Sequence, residues 1–228
     1  MSVTSTVYPA TAAERDRWIL RHRPARKFVD PWKPNGAFIE EEPDETGALV
    51  PVATILLANR ECPWRCVFCD LWKDTLEETV PAGAIPAQID FALRQLAIVP
   101  LPGDPSRASE LGTVAAPRCP SVKLYNSGSF FDVRAIPPGD YEAIAARLRG
   151  FNRVIVECHP SLIREPVVRF RDRLSPQAAP AGGQPLEVAM GLETARLDGS
   201  TAKILRAAAL LLNAALATLA VAGAFVLR

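Results

Sequence analysis

The sequence predicts an α/β fold, a single layered domain on a parallel sheet, and three observations carry that prediction. Short apolar runs of strand length alternate with helical stretches along the chain. The 228 residues suit one large domain, at roughly 150 residues per domain. Apolar types make up 49% and charged types 22%, with 21 Pro and 13 Gly, so the composition is neither disordered nor collagen-like.

Residues 12–27 read as a charged helix, and residues 28–50, rich in Pro, Gly and acids, as a lead-in loop. Residues 1–50 are therefore set apart as an N-terminal helix and lead-in segment, and 51–228 as the α/β core. The run 52–58 suits a strand buried on both faces, and 85–96 a helix with Ile89, Leu93 and Leu96 on one face. Five prolines mark 99–120 as a surface insertion. A second strand is expected at 122–125, a helix at 139–148, a third strand at 153–157 and a helical segment at 162–174. The loop SPQAAPAGGQP leads to a fourth strand at 186–190, then a helix at 200–219 and a fifth strand at 222–227.

Charge narrows the partners. Lys plus Arg number 26 against 25 for Asp plus Glu, so no global field draws the chain onto nucleic acid or an anionic membrane. The N-terminus lacks an apolar stretch after a basic start, which argues against a secretory signal and for a reducing cytoplasm. Residues 207–227 are 21 consecutive uncharged positions, long enough to span a bilayer. They are Ala-rich and weakly hydrophobic, so a buried helix followed by a strand, split near Ala222 and Gly223, is the preferred reading, and no membrane partner is expected.

The most specific signal follows the first core strand: Cys62-Pro-Trp-Arg-Cys66-Val-Phe-Cys69, a CxxxCxxC with an aromatic residue before the last cysteine. An odd count of five cysteines, three of them crowded between 62 and 69, favours metal ligation over a disulfide framework. Three thiolates in one loop can hold three irons of a 4Fe-4S cube and leave the fourth iron open. The competing reading is a zinc knuckle with Cys119 or His159 as a fourth ligand, although only one C-x-x-C pair, Cys66 and Cys69, is present.

This segment resembles the radical S-adenosylmethionine (SAM) superfamily in its spacing, its aromatic residue and its place after a strand. The resemblance implies a partial (βα)6 TIM-type barrel, with Cys62, Cys66 and Cys69 as cluster ligands and SAM on the open iron. It further implies that an electron from the cluster breaks the sulfonium C–S bond and gives a 5'-deoxyadenosyl radical. Phe68 would pack on the SAM adenine. Tyr125-Asn-Ser-Gly-Ser-Phe130 sits where the family has its Gly-Gly-Glu-like segment, which makes Ser127, Gly128 and Ser129 candidates for the SAM amino group. Glu157, in Glu157-Cys-His-Pro160, and Glu193, in Gly191-Leu-Glu193-Thr194, stand at two further strand ends, where carboxylates suit hydroxyls or an ammonium group. A salt bridge to a neighbouring Arg is the plainer reading of each glutamate.

The segments NSGSFFD, VECHP and GLET are together similar to the branch of radical SAM proteins related to the Elongator catalytic subunit, and most to the archaeosine-biosynthesis radical SAM proteins. That branch acts on tRNA, so tRNA base modification is the implied activity, with a reductant such as flavodoxin or ferredoxin as electron donor. The basic run Arg15, Arg17, Arg21, Arg23, Arg26 and Lys27, interleaved with Trp18, suits phosphate contact and base stacking, or a solvated helix face. A barrel of this family has six strands and the pattern shows five before Arg228, so the chain is expected to be truncated after about five strands. The alternatives are a non-catalytic iron-sulfur or zinc-binding module and an inactive fragment.

Overall fold

The computed structural model describes residues 9–44, 46–66, 69–98, 119–174 and 186–190. They fall into two compact units: the first holds the described residues of Met1–Arg26 and Pro63–Asp70, the second those of Lys27–Cys62 and Leu71–Gly191. The expected helix at 200–219, the strand at 222–227, Phe68 and Glu193 lie outside the described residues.

In the first unit, helix α1 spans Ala12–His22. Thr11 starts it with a capping box, its hydroxyl accepting from the Glu14 N–H while the Glu14 carboxylate reaches back to Thr11. The helix was expected to run to residue 27 and stops five residues earlier. Pro24 drives Arg23 to extended backbone (φ −80°, ψ 135°), which ends helical geometry.

The second unit carries a five-stranded sheet in the order β1-β2-β3-β4-β5, with β1 at Gly36–Pro43, β2 at Leu49–Leu57, β3 at Ser121–Asn126, β4 at Arg153–Glu157 and β5 at Leu186–Ala189. Pairing is antiparallel between β1 and β2 and parallel from β2 to β5. The lead-in expected to be a loop thus contains a strand. Asp44 folds the chain back by accepting the Thr46 N–H (2.8 Å), the Thr46 hydroxyl (2.7 Å) and the Ala48 N–H (3.1 Å). Gly47, at φ +84°, supplies the left-handed step of that turn.

Between the parallel strands lie α2 (Ala84–Gln95), α3 (Tyr141–Leu148) and α4 (Glu165–Leu174). Because the strand order never reverses, right-handed crossovers place successive helices on one face, and α3 packs against both α2 and α4. That face holds the apolar core: Ile55, Leu57, Leu124, Val154 and Val156 of the sheet meet Ile85, Ile89, Ile144, Leu148 and Phe170 of the helices. Asp140 ties two helices together, accepting the Gly83 N–H ahead of α2 at 2.9 and 3.0 Å on its two oxygens.

The opposite face is polar. Lys123, with its side chain 6% exposed, pairs with Glu40 at 3.2 Å and with Glu42, and Arg153 grips Glu187 through two N–H···O bonds of 2.7 and 2.8 Å. The Thr54 hydroxyl donates to Glu40 at 2.5 Å, and this bond chiefly holds the Glu40 carboxyl below its usual range. These glutamates explain the acidic look of β1. Alternate positions of the strand face a distant lysine, so their charge is consumed inside the fold.

Candidate functional site

The segment leaving β2 is pinned before it reaches the first cysteine. Gln88 of α2 accepts the Ala58 N–H at 2.8 Å and donates to the carbonyls of Ala58 (2.8 Å) and Pro31 (2.7 Å). Beyond it, the Leu76 N–H reaches the Asn59 carbonyl at 2.9 Å, and the Glu61 N–H reaches the Leu76 carbonyl at 2.9 Å. Cys62 therefore stands at the end of a fixed lead.

The turn after β3 comes to the same cysteine. A Cβ built on Gly128 would lie 3.4 Å from the Cys62 Cβ and 3.5 Å from its Cα. The turn is tied to its neighbours from both sides. Ser129 accepts the His159 N–H at 2.8 Å, and the Phe130 N–H donates to the Glu157 carbonyl at 2.8 Å. Beneath it, Phe130, Phe131, Tyr141 and Phe170 pack ring against ring at centroid distances of 5.1 to 5.9 Å. The Tyr141 hydroxyl donates to the Phe130 carbonyl at 2.7 Å, and burial pushes its phenol well above the usual range. The turn is thus a rigid ledge.

Three strand ends meet in this region. Cys158 donates its N–H to the Ala189 carbonyl at 2.9 Å, which links the end of β4 to that of β5 as Phe130 links β3 to β4. Glu157 is half-buried, and burial pushes its carboxyl up. Among the described residues its carboxylate has neither a hydrogen bond nor an ion pair, so the salt bridge weighed for it does not form there. Tyr125 stands nearby, its phenol raised by burial and by the Glu157 charge.

Compared with known proteins, the chain matches no family model, no curated protein and no solved structure.

Of the remaining cysteines, Cys66 and Cys69 belong to the first unit, where the Cys69 N–H donates to the Cys66 carbonyl at 3.1 Å. Arg65 between Cys62 and Cys66 holds φ +47°, a left-handed conformation uncommon for a side-chain-bearing residue, and its guanidinium meets Asp16 at 3.4 Å. All three motif cysteines are of intermediate exposure and outside any disulfide among the described residues. Among the described residues, no three His, Cys, Asp or Glu side chains are gathered to hold one metal ion. The donor chemistry itself fits an iron-sulfur cube, being three thiols in one short loop. The bare Gly128 keeps open, beside Cys62, the space that a side chain would fill. Cys119 and Cys158 are both buried, and burial pushes the Cys158 thiol up to about 11. Cys119 sits in the core ahead of β3, where burial also raises its thiol, while residues 99–118 of the expected insertion lie outside the described residues.

His159, and Trp18 and Lys27 of the basic segment, have local uses. The His159 Nδ1 accepts the Ser161 N–H at 3.2 Å and so caps the short turn Pro160–Leu162. Trp18 packs against His22 with the rings tilted by 32° and their centroids 4.2 Å apart, and Lys27 pairs with Asp74 at 2.7 Å.

Sequence reasoning passed over several polar groups that the fold brings here. Asp132 is buried and holds Arg134 through bonds of 3.2 and 3.1 Å to its two oxygens. That pairing is the chief reason the guanidinium is held more firmly protonated, with the Cys62 sulfur a smaller contributor. Asn126, at the end of β3, is 1% exposed, and among the described residues neither atom of its carboxamide has a partner. Asn59 is fully buried; its Nδ2 donates to the Arg60 carbonyl at 2.8 Å while its Oδ1 has no partner among the described residues. Each such orphaned atom costs the fold about 1–3 kcal/mol.

Proposed function

We propose that this chain is the catalytic core of a radical SAM enzyme, a partial (βα) barrel in which Cys62, Cys66 and Cys69 hold a 4Fe-4S cluster. The observation that carries the reading is the close approach of Gly128 to Cys62, which sets the turn after β3 against the first ligand of a CxxxCxxC loop. The one-way strand order supports the barrel, since sequential parallel strands with helices on one face are what a barrel wall requires. When bound, the cluster supplies the electron that cleaves SAM.

The chain's own residues then have defined tasks. Ser127, Gly128 and Ser129 offer backbone groups to the SAM amino group, and the aromatic packing below keeps them in place. Phe68 covers the adenine. Glu157 and Glu193 take ligand hydroxyls or an ammonium group, a use that suits the half-buried Glu157 carboxyl, which has no partner among the described residues. The substrate class is tRNA, the electron donor a flavodoxin or ferredoxin, and the compartment the cytoplasm. Among the described residues no helix is long and apolar enough to cross a membrane.

Anaerobic reconstitution tests the reading. About four iron and four sulfide per chain are expected, as one cube requires. Cys66→Ala should abolish loading and Cys119→Ala should leave it intact. With SAM and a reductant, the loaded protein should release 5'-deoxyadenosine. Stoichiometric zinc without charge-transfer absorption would replace this reading with a zinc-binding module.

A further inference from the structure

The carboxamides of Asn126 and Asn59 stand out because the fold satisfies a third amide beside them in full. Gln88, also fully buried, uses its oxygen and its nitrogen on Ala58 and reaches Pro31 as well. Among the described residues, Asn126 uses neither atom and Asn59 leaves its oxygen idle. The two positions lie at the ends of adjacent strands. Leu57 pairs with Asn126 across β2 and β3, and Asn59 follows Leu57 by two residues. Both stand at the C-terminal ends of parallel strands, where α/β proteins place their ligands. A buried polar group kept without a partner weakens the free protein, so its retention calls for a partner supplied from outside.

We propose that Asn126, assisted by Asn59, forms a ligand subsite for a neutral group that presents a hydrogen-bond donor beside an acceptor. The free atoms fix that chemistry. Asn126 offers an NH2 donor and a carbonyl acceptor side by side, and Asn59 adds a second acceptor. Both side chains are uncharged, and a charged ligand group would be desolvated there without the compensation that an opposite charge provides. Two kinds of molecule carry such an edge, an amino-heterocycle such as adenine and a primary carboxamide. The inference goes beyond the cluster reading and holds for the metal-free chain.

The test uses metal-free full-length protein and Asn126→Leu, an apolar replacement of similar shape. Without ligand the variant should melt at least about 4 °C higher than the parent, because two unsatisfied polar atoms have been removed. Adenosine or nicotinamide at millimolar concentration should raise the melting temperature of the parent, and the shift should vanish in the variant. Which probe acts tells the heterocycle from the carboxamide. If adenosine acts, purine riboside, which lacks the exocyclic amine, should bind at least tenfold more weakly by calorimetry. A variant that melts several degrees lower, equal shifts in both proteins, or no shift in the parent with either probe would each overturn the subsite. Should Asn126→Leu fail to fold, Asn126→Val is read by the same two measurements, and failure of both to fold assigns the amide a structural role and overturns it equally.

Discussion

Replacing Gly128 separates contact from backbone freedom at the point where the β3 turn meets Cys62. Its φ lies outside the left-handed region, so a side chain meets no backbone strain there. An alanine methyl would sit 3.4 Å from the Cys62 Cβ and 3.5 Å from its Cα, close to the 3.5–4.0 Å optimum for carbon pairs. Gly128→Ala also restricts the unfolded chain, worth about 0.4–1 kcal/mol, so it should be neutral to slightly stabilising. Valine carries carbons about 1.5 Å beyond the Cβ, toward a wall already in contact. Gly128→Val should therefore cost about 1–3 kcal/mol as overpacking. At about 2–4 °C per kcal/mol for this chain length, that is a loss of about 2–12 °C in Tm. Thermal unfolding and iron content after anaerobic reconstitution are the assays, and Val should lose both stability and iron while Ala loses neither. A Gly128→Val protein with unchanged Tm and full iron would refute the packing of turn on cysteine, and an Ala variant as damaged as Val would move the cause to backbone freedom.

Two other perturbations follow from the charges. Lys123→Ala takes the buried cation from Glu40 and Glu42, which stay about a third exposed, Glu42 with Arg153 still at 3.8 Å, and should cost about 1–3 kcal/mol in chemical denaturation; adding Glu40→Gln should recover part of that loss, and strict additivity would show that the pair is not coupled. Glu157 has its carboxyl raised by burial, so the folded protein holds that proton more tightly than the unfolded chain and loses stability as pH climbs from the unfolded value through the folded one. Glu157→Gln should therefore be more stable than the parent at neutral pH and lose that advantage in acid below the unfolded carboxylate range; denaturation curves of equal spacing at every pH would contradict it.

The parallel strands were legible because each is a short apolar run bounded by polar or turn residues, as at 153–157, where the expected and observed limits agree. The helix ends were less so, since Pro24 acts on the residue before it and α3 starts only after a short turn at Pro138–Asp140. Strand β1 was missed for a different reason. Its run GAFIEEEP is acidic when read locally, and the groups that neutralise Glu40 and Glu42, Lys123 and Arg153, lie on β3 and β4. No window of neighbouring residues contains that information. At the site, Gly128 was visible as a small residue at a strand end, whereas Asn126 beside it looked like ordinary turn chemistry. Its burial without a partner depends on what the sheet and helices deny it, which only the assembled fold reveals.

The hairpin of β1 and β2 also sets an order of events during synthesis. It is a local structure, closed by the turn at Asp44, and such hairpins form within microseconds. The next partner of β2 is β3, and Ser121 is made about 70 residues after the Val52 it pairs with. At about 5–20 residues per second, one edge of β2 waits on the order of ten seconds for its neighbour. β1 occupies the other edge throughout. The nascent chain thus offers one sticky border instead of two, and the acidic residues of β1 surround the waiting strand with like charge that discourages a second ribosome's product from joining it.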